Sequence, residues 1–84
     1  MRTVITVYKG RKGYVIIVSG GKSKRRTSGL ESHNPEVAAE AALESWEEHR
    51  DNPDGVFVSV PVEVEAIIAT RGPIPWERSN EPPP

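Results

Sequence analysis

One segment of this chain, residues 34–50, carries a full set of helix signals, and most of what surrounds it alternates as strands do. Asn34 is a good N-cap, and Pro35 suits the first helical position because its missing N–H has no intrahelical partner there anyway. Glu36 sets negative charge at the positive end of the helix dipole. At roughly 100° per residue, Ala38, Ala39, Ala42, Leu43, Trp46 and His49 gather on one side, with Glu40, Glu44, Glu47 and Glu48 on the other. Three alanines let the helix backbone approach a sheet closely, while Leu43 and Trp46 fill the wider gap further along. Arg50 suits the negative end of the dipole, and Asp51-Asn52-Pro53-Asp54-Gly55 stops the helix and turns the chain.

The strands are read from their period. Residues 3–8 are all β-branched or aromatic, with Val4, Thr6 and Tyr8 on one side and Thr3, Ile5 and Val7 on the other. Lys9-Gly10-Arg11-Lys12-Gly13 supplies a turn, and Tyr14-Val15-Ile16-Ile17-Val18 reads as the antiparallel return. Both strands hold bulky apolar residues on both faces, which implies that part of the outer face is covered by another element or a partner. After the turn at Ser19-Gly20-Gly21, the stretch 22–30 has one large apolar residue, Leu30. A short, charged edge strand is expected over 25–28. From Val56 the alternation resumes through Ile68, but Pro61 donates no ladder hydrogen bond. This predicts a paired strand over 56–60, a break at Pro61, and an edge strand over 62–69, from Val62 to Ala69, through which two copies can form a homodimer.

These elements predict an α+β domain: a small antiparallel sheet with one helix on one face, in the order β-β-(β)-α-β with a possible terminal edge strand. The chain has 84 residues. We read 1–70 as the compact unit and 71–84 as a proline-rich tail, with Pro73-Ile74-Pro75-Trp76 either folded back on the domain or docked in a partner's groove. There is no cysteine, so disulfides, zinc ribbons and thiol chemistry are excluded. The opening residues alternate with polar ones and do not read as a signal peptide. No apolar run is long enough for a membrane span, and the expected compartment is the cytoplasm.

Charge is divided along the chain. Residues 1–30 hold eight Lys or Arg and no acid, whereas residues 31–84 hold three Arg and twelve acids, so +8 and −9 make up the formal −1. Arg11, Lys12, Lys22, Lys24, Arg25 and Arg26 are the candidate nucleic-acid-binding residues, with Ser23, Thr27 and Ser28 as hydroxyl donors to phosphate. Tyr8 and Tyr14 flank the first turn, and either stacks on a base if its ring faces outward. The plainer reading of the same residues is a solvated basic loop.

Other motifs carry less. Gly21-Lys22-Ser23 ends like a phosphate loop, but the required glycine five residues before Gly21 is Ile16. His33 and His49 sit at opposite ends of one helix, about 20 Å apart, so no metal site is expected. Glu63 and Glu65, read on one strand, form a carboxylate pair without a cleft. The expectation is therefore a non-catalytic binding protein, without cofactor, that contacts nucleic-acid phosphates with weak sequence preference. Its competitor is a protein-binding adaptor or inhibitor, in one form a nucleic-acid mimic, acting through Glu40, Glu44, Glu47 and Glu48, an exposed strand edge, or Trp76.

Overall fold

The computed structural model describes residues 1–20 and 24–76. The described elements run β1 (Thr3–Gly10), β2 (Gly13–Ser19), β3 (Arg26–Gly29), α1 (Pro35–His49), β4 (Val56–Ser59) and α2 (Val62–Thr70). The strands form one sheet in the order β3-β2-β1-β4. Its first three strands pair antiparallel, as expected, but β4 pairs with β1 in parallel. The sheet is therefore mixed. The cause is the α1 crossover, which returns the chain to the end of the sheet where β1 begins, so the next strand must run the same way as β1.

The helix signals of the sequence translate directly into α1. Asn34 Oδ1 accepts the backbone N–H of Glu36 at 3.0 Å, Pro35 opens the helix, and Ala38, Ala39 and Ala42 are buried without exposed surface. The inner face of the sheet, Ile5 and Val7 from β1, Tyr14, Ile16 and Val18 from β2, and Val58 from β4, packs on these alanines. Trp46 is half-buried beside this core.

Residues 62–69 are not a strand. They form most of α2, with Pro61 as its N-cap, and the expected edge-strand route to a homodimer loses its element. The break at Pro61 is real, but beyond it Val64 and Ile68 turn inward at helical spacing, with Glu63 and Glu65 in the first turn, where the dipole favours acids. Glu63 is exposed and Glu65 buried, so the two carboxylates do not share a side. Beyond α2 the chain folds back, and Trp76, 7 % exposed, joins the core with its ring centroid 6.4 Å from that of Trp46. Residues 77–84 of the expected tail lie outside the described residues.

Backbone contacts tie the ends of the sheet to its connections. Gly20 has φ +83°, and a Cβ there would lie 2.1 Å from the Arg2 carbonyl oxygen, so only glycine lets the end of β2 pass the start of β1. Asn52, in the turn after α1, donates to the Met1 carbonyl at 3.0 Å and to Thr3 Oγ1 at 2.9 Å, fixing β1 to the start of β4. Among the described residues, no helix is long and apolar enough to cross a membrane.

Candidate nucleic-acid interface

The five candidate cations within the described residues do not converge. Gly10 pairs with Gly13, so Arg11 and Lys12 are the two residues of a tight turn at one end of the β1–β2 hairpin. Lys24, Arg25 and Arg26 lie where the chain enters β3, at the opposite end of β2, with Arg26 in register with Val18. The seven residues of β2 separate the two groups by about 20 Å. All five side chains are exposed. Lys22, like the rest of Gly21-Lys22-Ser23, lies outside the described residues. Consecutive antiparallel hairpins must turn at opposite ends of the strand they share, which is why the two basic turns part.

A second grouping replaces the expected one. Arg2 sits at the same end of the sheet as Lys24, Arg25 and Arg26, because Val4 pairs with Ser19 and the Arg2 carbonyl abuts Gly20. Its guanidinium lies over the Phe57 ring, 5.3 Å from the centroid. Phe57 is the outward residue of β4, paired with Val4 of β1. Neither Arg2 nor Phe57 was among the expected site residues. Phe57 was hidden in the apparent long alternation through 69, and Arg2 stands one residue before the strand.

Between the two basic ends runs the outer face of the sheet. Val4, Thr6, Val15, Ile17 and Phe57 are half-exposed there, and Tyr8 is 44 % exposed. Helix α1 packs on the other face, and α2 packs on α1, so among the described residues no helix or strand lies over this face; of the two covers expected, another element or a partner, the first is absent there, and Arg2 lies over Phe57. The two tyrosines also part. Tyr8 points outward, whereas Tyr14 is 2 % exposed and joins the core, so only Tyr8 is available to stack.

Tyr14 instead links the sheet to α2. Burial, then the neighbouring Glu63 carboxylate and a hydrogen bond to it, hold the Tyr14 hydroxyl above its ordinary value of 10.0. Its backbone anchors the connection before α1: Tyr14 N–H donates to the Ser32 carbonyl at 2.8 Å, and Leu30 N–H donates to the Tyr14 carbonyl at 2.9 Å.

The acids occupy the other layer. Glu40, Glu44, Glu47 and Glu48 are all exposed on α1, and Glu40 lies 3.8 Å from Arg71 in a solvent-screened pair of little energetic weight. At the Arg2 end of the sheet, the carboxylates nearest in the chain are Asp51 and Asp54, in the turn leading to β4, and Asp54 is engaged by the Met1 amine. β3 lies three strands away from β4, roughly 14 Å, so Lys24, Arg25 and Arg26 stand well clear of that turn. Trp76, packed beside Trp46 and 7 % exposed, presents little surface to a partner. Among the described residues no group of three or more His, Asp or Glu side chains is placed to hold a metal ion, and His49 directs Nδ1 at the Ser45 carbonyl, 2.8 Å away within its own helix. No family model, curated protein or solved structure matches this chain.

Proposed function

We propose that this chain is a non-catalytic nucleic-acid-binding domain that contacts phosphates through the sheet side of the molecule with weak sequence preference. The observation that carries the proposal is the sorting of charge by layer. Residues 1–20 and 24–29, which form β1, β2, β3 and their turns, hold Arg2, Lys9, Arg11, Lys12, Lys24, Arg25 and Arg26 and no carboxylate. Most of the exposed glutamates, Glu36, Glu40, Glu44, Glu47 and Glu48, stand on α1, across the core, with Glu31 in the connection before α1 and Glu63 on α2. A polyanion approaching β1, β2 and β3 meets cations and no carboxylate on those strands, whereas one approaching α1 meets a row of exposed glutamates. Exposed arginines and lysines on turns donate to phosphate oxygens, and no element carries a base-reading constellation for a groove.

Binding of the intact chain and of a Lys24→Ala, Arg25→Ala, Arg26→Ala triple variant, measured across a salt series, tests this. Non-specific dissociation constants of about 10⁻⁴ to 10⁻⁶ M at physiological salt are expected. If the three residues each contact one phosphate, their removal lowers the magnitude of the log K against log salt slope by about 2 on a single strand and about 2.7 on a duplex. Equal slopes for the two proteins remove this segment from the site. Absence of binding at low salt removes the nucleic-acid reading and favours its competitor, a basic protein partner docking on Glu40, Glu44, Glu47 and Glu48 of α1.

A further inference from the structure

We infer that the open face of the sheet is a stacking platform for a single strand, with Tyr8 and the Arg2–Phe57 pair as its two base positions. The inference rests on the nucleic-acid reading above and adds which form of nucleic acid is bound. Charge complementarity points to the occupant. The face is apolar in its middle, carries two aromatic rings, is bounded by Arg11 and Lys12 at one end and by Arg2, Lys24 and Arg25 at the other, and has no carboxylate among the outward residues of its strands. An apolar protein partner needs the middle of such a face but not its cationic ends. A single strand uses both, since bases stack on rings and on guanidinium planes while the backbone runs on to the cations.

The spacing favours an unpaired strand. Phe57 is in register with Val4, and Val4 and Tyr8 are four residues apart on β1, which places the two rings about 13 Å apart along the strand. Bases in a duplex are paired and stacked on each other, so none is free to lie on either ring, whereas an extended single strand can splay two non-adjacent bases onto both. Thr6 and Ile17, paired with each other across β1 and β2, fill the interval with a hydroxyl and an apolar surface suited to a sugar. The Arg2 guanidinium already lies over Phe57, 5.3 Å from the ring centroid, and Arg2 is exposed, so the pair is open to a base and its N–H groups to phosphate. Tyr8, 44 % exposed, is likewise open to a base.

Fluorescence anisotropy with labelled oligothymidylate, oligouridylate and a mixed-sequence duplex of equal length tests the inference on the full chain and on Tyr8→Ala, Tyr8→Phe and Arg2→Ala. The expected results are tighter binding of either single strand than of the duplex, and a loss of about five- to one-hundred-fold for Tyr8→Ala on single strands. Tyr8→Phe retains most of the affinity. The salt slope stays unchanged in Tyr8→Ala, whereas Arg2→Ala lowers both affinity and slope. Thermal unfolding of each variant confirms that the fold persists, as expected for these exposed side chains. Equal affinity for duplex and single strand, with no loss in Tyr8→Ala, overturns the stacking platform and leaves the phosphate reading standing, because salt-dependent binding persists. Sedimentation of the intact chain as a dimer that Tyr8→Ala dissociates gives the face to a second copy and also overturns it.

Discussion

The two faces of the sheet are made from the same strands and much the same residues, yet one is closed and the other open. On the inner face Ile5, Val7, Ile16 and Val18 are buried under α1; on the outer face Val4, Val15 and Ile17, chemically their equals, remain half-exposed. Hydrophobicity therefore does not decide which face becomes core. The crossover does, by laying the small residues Ala38, Ala39 and Ala42 against one side. The outer face keeps β-branched residues that suit a pleated surface, and its surroundings differ in charge rather than in apolar content. A surface of this composition is the part of the molecule on which a partner gains most by removing water.

The contrast is broken most severely at the backbone that holds both faces in one sheet. Gly20→Ala forces a side chain onto a left-handed residue, a strain of about 1 to 3 kcal/mol. It also drives a Cβ to within 2.1 Å of the Arg2 carbonyl oxygen. Its unfolding midpoint in urea should fall further than that of any side-chain truncation on the outer face, and a midpoint matching the parent chain would contradict the close approach of β1 and β2. Next comes the core itself. Trp76→Ala should cost about 3 to 5 kcal/mol, because the ring is 7 % exposed among the core residues, whereas Tyr8→Ala on the open face should shift stability far less. Denaturant curves for the two variants measure that difference, and equal losses would mean that the outer face is covered.

Much of this architecture was legible and the misreadings have physical causes. Asn34, Pro35 and the alanine spacing define α1 because capping and period agree. β1 and β2 follow from alternation with a two-glycine turn between them. Residues 62–69 deceived because Val62-Glu63-Val64-Glu65 alternates with a period of two, over too few residues for the helical spacing of Val64 and Ile68 to compete. Two acids just after a proline were the helix signal available. The parallel direction of β4 was not written in any local pattern, since it depends on where the crossover ends. The candidate cations were identified by type, but their separation depends on which ends of β2 the two turns occupy. Tyr8 and Tyr14 look alike in sequence, and the register that pairs Lys9 with Tyr14 sends one ring outward and the other into the core.

A smaller effect sharpens the contrast through pH. Tyr14 keeps its proton in the folded chain to a higher pH than its ordinary value of 10.0, through burial first and then Glu63. Its share of stability is therefore fully present below about pH 10 and is lost as pH rises through the folded value, because the unfolded chain releases that proton sooner. The unfolding midpoint of the parent should decline in this alkaline window more steeply than that of Tyr14→Phe, as followed by thermal melts at a series of pH values. Parallel declines in the two proteins would detach Tyr14 from the alkaline loss.

The most direct measurement of the central claim is a methyl-resolved NMR titration with a short single-stranded oligonucleotide. The account predicts that resonances of Val4, Val15 and Ile17 move together with the Tyr8 ring, while Ile5, Ile16, Val64 and Ile68, on the covered side, stay in place. Shifts confined to the helix layer, at Val37, Leu43 and Val62, with the outer face of the sheet unmoved, would contradict it.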